Sequence, residues 1–256
     1  MEMVFPRIDP VVAPVSFGHG SHRLLPVAQV DLGHVPRGAA IVLCDAGALE
    51  RDAAEVMNAL AEHGYESVAV DLSGADGAYA VSDRDLVNDV SVLLGRLGER
   101  GWTPEQVGLI GYGAGGRTAL LAAAEYELGA AVSIAPTGGA GALSRALPPL
   151  VRMARPVVTP WLGLFGEQDE ETPPTAVQLL GSVLSESPVY TELISYSGVS
   201  GNFYHDTREI LPHSAAFDAW QRTVEWLDLR VAPRQTPLAE KWRQRAGSAR
   251  GESSRV

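Results

Sequence analysis

Short apolar runs recur along the chain, and helical stretches separate most of them. AAIVLCD (39–45), SVAVDL (67–72), VGLIGY (107–112), AAVSIAP (130–136), WLGLFG (161–166) and VYTELISY (189–196) each read as a strand, and LLPVAQVDL (24–32) adds an early one. Runs that are apolar throughout, rather than at alternate positions, suit strands buried on both faces. Residues 50–63 place Ala53, Met57 and Leu60 on one helical face, and Gly64 is positioned to end that helix. Residues 83–98 align Leu86, Val90, Leu93, Leu94 and Leu97. Further helices are expected at 115–126, from Thr172 (N-cap) and Pro173 (first helical position) to about 184, and at 212–229, with Phe217, Trp220, Val224 and Leu227 inward. Residues 137–156 are Gly/Pro-rich and irregular. This alternation predicts an α/β fold with a mostly parallel central sheet and helices on both faces.

A chain of 256 residues, 46% hydrophobic, suits one large domain. The expected parse is an N-terminal strand region over 1–37, the main domain over 38–232 and a flexible basic tail over 233–256. The tail holds six Arg/Lys and two acids. The total charge is −11, so the body carries −15 once the +4 of the tail is set aside. An acidic body argues against nucleic acid as the main partner. No apolar run approaches the roughly 20 residues of a bilayer span, and nothing resembles a secretory leader. The single cysteine, Cys44, excludes an internal disulfide and fits a reducing compartment. A cytoplasmic protein is expected, with no membrane partner.

In such sheets function sits in loops at the carboxyl ends of strands. One of these reads VGLIGYGAGG (107–116), followed at once by a helix. Gly111, Gly113 and Gly116 satisfy the dinucleotide fingerprint G-x-G-x-x-G. That site also expects an acid at the end of the next strand, and SIAP-TGG supplies none. No cofactor is therefore expected. The same stretch fits a nucleophile elbow, G-x-Nuc-x-G, framed by Gly111 and Gly115, with glycine at the nucleophile position 113.

GAAIVLCDAGAL (38–49), EHGYESVAVDL (62–72), VGLIGYGAGG (107–116), PWLGLFGEQDEETP (160–173) and residues 196–227 together resemble the dienelactone hydrolase family of α/β-hydrolases. The resemblance spans roughly 38–229 and implies an α/β-hydrolase fold. Family members typically read G-Y-C-x-G-G, G-x-x-D-x-x-x-P and Y-x-G-x-x-H-x-F; this chain reads G-Y-G-A-G-G, G-E-Q-D-E-E-T-P and Y-S-G-V-S-G-N-F. The resemblance makes Asp169 the remaining triad acid, Gly113 the nucleophile position and Gly201 the histidine position. Asp45 falls where the family's elbow-assisting glutamate stands.

A triad needs a nucleophile, a base and an orienting acid, and glycine supplies none of them. What remains is two oxyanion donors, the backbone N–H groups of Ala114 and of Ala46 beside Asp45, with a helix N-terminus behind the first. Cys44, Asp45, Asp169 and His205 are the candidates for relocated chemistry. His19 and His22 form H-x-x-H without a third ligand, so no metal is expected. The leading expectation is a non-hydrolytic protein that binds a small acyl or lactone-like ligand, or a protein partner. The alternatives are an ester or lactone hydrolase with relocated groups such as Cys44 and His205, and a non-covalent lyase, isomerase or cyclase using Asp45, Asp169 or His205.

Overall fold

The apolar runs assemble into one eight-stranded sheet. The computed structural model describes residues 7–18, 23–33, 36–45, 47–72, 82–138, 148–205 and 210–235. Its strands are β1 (Val11–Phe17), β2 (Arg23–Val30), β3 (Gly38–Leu43), β4 (Tyr65–Val70), β5 (Val107–Tyr112), β6 (Ala130–Ile134), β7 (Trp161–Gly166) and β8 (Thr191–Tyr196). The spatial order is β1-β2-β4-β3-β5-β6-β7-β8. β1, β2 and β4 pair antiparallel, and every pairing from β4 through β3 to β8 is parallel. β3, β4, β5, β6 and β7 are buried almost throughout, as continuous apolar runs require.

The helices are α1 (Ala53–Glu62), α2 (Asp83–Glu99), α3 (Ala114–Ala123), α4 (Leu150–Met153), α5 (Pro174–Leu184) and α6 (Ile210–Arg230). Two cores result. α2, α3, α4 and α5 cover one face of the sheet, and α1 and α6 cover the other. Ala53, Met57 and Leu60 are buried on α1, and Gly64 at φ +81° follows its end, as the sequence predicts. Ser82 caps α2 by accepting from the Asp85 N–H.

Three local expectations change. β1 was not anticipated. Its exposed Val11 and Val12 and its Pro14 disguise an edge strand that buries only Val15 and Phe17. Phe217 points outward and is 62% exposed; Val224 and Leu227 are buried as expected, together with Ala215, Ala219, Thr223 and Trp226. Thr172 does not cap α5: Pro173 is its N-cap, and the Thr172 hydroxyl donates to the Pro136 carbonyl.

The topology fixes where a site can form. β3 and β5 are parallel neighbours with Leu43 opposite Gly111, so the residues just beyond them, Asp45 and Gly113, leave the sheet side by side. β7 and β8 are neighbours likewise, and they bring the Asp169 loop against Gly201. Among the described residues no helix is long and apolar enough to cross a membrane.

Candidate functional site at the elbow

Gly113 joins β5 directly to α3 with φ 53° and ψ −114°. Side chains rarely adopt this conformation, and an elbow is built on it. The flanking glycines serve close packing. A Cβ on Gly111 would lie 2.1 Å from the Gly115 carbonyl oxygen, and one on Gly115 would lie 2.1 Å from that of Leu43. These glycines therefore press helix against strand, as an elbow requires.

The space above Gly113 is filled. A Cβ there would lie 2.6 Å from Asp45 Cγ and 2.7 Å from both carboxylate oxygens. The Asp45 carboxylate thus stands where a nucleophile's side chain would begin. It is held there by the Tyr204 hydroxyl, which donates at 2.9 Å, and by the Ala114 N–H, which donates at a long 3.4 Å. The Ala114 donor expected for an oxyanion is thereby directed at a carboxylate. Ala46, the second expected donor, lies outside the described residues, as do His19 and His22.

The second glycine repeats the pattern. A Cβ on Gly201 would lie 2.6 Å from Asp169 Oδ2. Asp169 Oδ1 accepts from the Glu171 N–H at 2.8 Å. Burial raises the Asp169 pKa above the ordinary carboxylate range, and the Glu171 and Thr172 N–H groups work against that rise.

His205 pairs with other acids. Its Nε2 is 3.7 Å from Asp45 Oδ2, and its Nδ1 is 3.6 Å from Asp52 Oδ2. Asp52 is the N-cap residue of α1, yet its side chain makes no cap hydrogen bond. Asp52, Tyr112, Tyr204 and Trp220 stand around the same space, and sequence reasoning gave none of them a chemical role. The available signals were the position of Asp52 at a helix start just past β3 and of Tyr204 beside His205. Tyr204 stacks between Tyr112, at 5.4 Å between ring centroids, and His205, at 4.2 Å.

These groups border a cavity of about 210 Å³. Its wall includes Val42, Ile134 and Ala219 as well as Cys44, Asp45, Asp52, Tyr112, Tyr204, His205 and Trp220. Asp169 and Gly201 are not part of that wall. The candidates thus separate into a cavity group (Cys44, Asp45, His205) and an Asp169–Gly201 contact. Burial, reinforced by Asp71, Asp52 and Asp45, pushes the Cys44 thiol up to about 12. A thiol that resists ionisation is a poor nucleophile. Among the described residues no group of His, Cys, Asp and Glu is arranged to hold a metal ion.

Comparison with known proteins agrees with the fold and motifs. The family model for the dienelactone hydrolase family matches residues 30–230. The "Putative carboxymethylenebutenolidase" of Escherichia coli (strain K12) is 30% identical over 148 residues, 57% of this chain and 54% of that protein. That of Yersinia pestis is 25% identical over 217 residues, 78% of this chain and 81% of that protein. The aligned segment thus spans about half the length of the Escherichia coli relative. A crystal structure of a "Putative Dienelactone Hydrolase" from Klebsiella pneumoniae subsp. pneumoniae MGH 78578 superposes with a TM-score of 0.69 at 21% identity, covering 86% of this chain and 99% of that one. The propionate-bound esterase Est2 of Thermogutta terrifontis superposes with a TM-score of 0.63 at 15% identity, covering 85% and 92%. With an eight-stranded α/β-hydrolase sheet and a tight strand-to-helix turn at Gly113, the chain belongs to the dienelactone hydrolase family.

Proposed function

We propose that this family member binds a small molecule in the elbow cavity and forms no acyl-enzyme there. The observation that carries the reading is the Asp45 carboxylate standing in the space above Gly113 and drawing the Ala114 N–H to itself. A substrate carbonyl would find a carboxylate where attack requires a nucleophile, and a negative charge where the developing oxyanion requires donors. The triad position at 201 is closed in the same way by Asp169. The lone Cys44 supports a reducing, cytoplasmic setting, and the acidic body supports a small-molecule rather than a nucleic-acid partner.

The test is a panel of p-nitrophenyl esters and dienelactones assayed beside ligand-induced thermal shifts. No turnover above buffer, together with a saturable thermal shift for a bound compound, is the expected pair of results. Ester or lactone turnover that survives purification and is lost in Asp45→Asn would overturn it.

A second reading has its own observation. The His205 ring lies between Asp45 and Asp52 at 3.7 and 3.6 Å, an acid–imidazole–acid row along the cavity wall. Such a row can move a proton without a covalent step. A lyase, isomerase or cyclase activity abolished in Asp45→Asn and His205→Gln but retained in Cys44→Ala would favour it over pure binding.

A further inference from the structure

A tyrosine hydroxyl taken out of water ordinarily finds a hydrogen-bond partner. Four tyrosines of this protein follow the rule. Tyr65 donates to Asp228 at 3.0 Å, Tyr126 to the Val87 carbonyl at 3.1 Å, Tyr196 to Asp218 at 2.8 Å and Tyr204 to Asp45 at 2.9 Å. Tyr190 is exposed and has water. Tyr112 departs from it: it is partly buried, and among the described residues no group receives its hydroxyl. This residue ends β5 and packs against the core beneath α1 and α6. Val42, Ile134 and Ala219 of the same core form the apolar part of the elbow cavity's wall, and Tyr112 borders that cavity with them.

We propose that the Tyr112 hydroxyl is the recognition element of this cavity, and that the ligand is a compact, uncharged molecule with an apolar body and one acceptor oxygen, such as a small cyclic ketone. This assignment rests on the reading that the cavity binds a small molecule. It narrows that ligand to a neutral one, held by a side chain rather than by the elbow N–H. Burial, and after it Cys44 and Asp52, holds the Tyr112 hydroxyl above the ordinary tyrosine range, so it stays a neutral O–H donor. The Ala114 N–H, the donor an acyl substrate would need, is directed at Asp45 instead. An acceptor oxygen on the ligand satisfies Tyr112, whereas a plain hydrocarbon leaves the hydroxyl unpaired. An ionised group is disfavoured there, because one hydroxyl does not compensate a full charge for leaving water beside Val42, Ile134 and Ala219.

A volume of about 210 Å³ equals about seven water molecules, which suggests about seven heavy atoms. Cyclohexanone and methylenecyclohexane match that size and shape, and differ in carrying an oxygen or a CH2 group at the same place. Methylenecyclohexane is the more hydrophobic, so each compound is compared across variants rather than with the other. The experiment measures the free concentration of each compound by headspace gas chromatography over the full chain, wild type and Tyr112→Phe. Tyr112→Phe is expected to weaken cyclohexanone about five- to tenfold, the worth of one neutral hydrogen bond, and to leave methylenecyclohexane within about twofold. Unchanged methylenecyclohexane binding also shows that the variant keeps its cavity. In the wild-type protein the carbonyl stretch of bound cyclohexanone, read by infrared difference spectroscopy, should lie below its value in hexane. If Tyr112→Phe weakens both compounds alike or neither, or if the bound carbonyl absorbs as in hexane, the Tyr112 assignment is wrong and cavity binding stands. If neither compound binds the wild-type protein up to its solubility in water, both readings fall.

Discussion

The Asp45 carboxylate occupies the space that any side chain on Gly113 would need, with Asp45 Cγ 2.6 Å from the position of a Cβ there. The two residues leave adjacent parallel strands, which sets them side by side. They should therefore be energetically coupled. Gly113→Ala introduces backbone strain of about 1–3 kcal/mol at φ 53°, and it must also displace the carboxylate. In an Asp45→Gly background only the strain remains. Urea denaturation of the two single variants and the double variant should give a coupling energy of about 0.5–3 kcal/mol. Additive effects would place the carboxylate elsewhere.

Arg117 and Asp83 form a buried bidentate pair. The Arg117 Nε and Nη2 donate to the two Asp83 oxygens at 2.7 Å each, and the guanidinium also donates to the carbonyls of Pro148 and Thr137. The Arg117 side chain is 1% exposed. Asp83→Ala leaves that charge buried and unpaired, and should cost about 3–5 kcal/mol in urea denaturation. Replacing both residues by Leu should cost less than the single change, because no buried charge is left behind.

Asp169 makes stability depend on pH with a definite sign. Its pKa is raised on folding, chiefly by burial, so the folded state holds the proton more tightly than the unfolded state. Stability must then fall as pH rises from the ordinary carboxylate range through the raised value. Asp169→Asn removes that loss and keeps an acceptor for the Glu171 N–H. The variant should gain on the wild-type protein as pH goes from 4 to 7, read as the difference in urea midpoints. A difference that is flat or shrinks with pH would contradict the burial argument.

Cys44 should be silent to alkylation in the folded protein. With its thiol pushed up to about 12, only about one molecule in ten thousand is a thiolate at pH 8. Iodoacetamide labelling followed by mass spectrometry should show modification only after denaturation. Cys44→Ala should leave any turnover by the protein unchanged.

The sheet was legible because β3, β5 and β7, and β6 apart from Ser133, are apolar along their length, a pattern that burial on both faces explains. β1 was not, because an edge strand exposes Val11, Val12 and the Pro14 backbone and leaves no continuous run. Phe217 shows the limit of helical periodicity, for the 21-residue α6 also buries Ala215, Ala219 and Thr223, small positions that a search for large apolar residues underweights. At the site, motif spacing drew attention to Gly113 and Gly201. It did not show what a side chain at either position would meet. The placing of Asp45 over one and Asp169 over the other comes from strand adjacency, and the contact of Asp52 with His205 joins residues far apart in the chain. Such contacts are products of the fold.

The central claim is that the elbow forms no covalent acyl intermediate. Intact-mass spectrometry after acid quench of a reaction with excess p-nitrophenyl acetate tests it most directly. The account predicts the unmodified mass at every time point from milliseconds to minutes. A stoichiometric gain of one acetyl group, mapped by peptide digestion to any residue of the cavity wall, would contradict it.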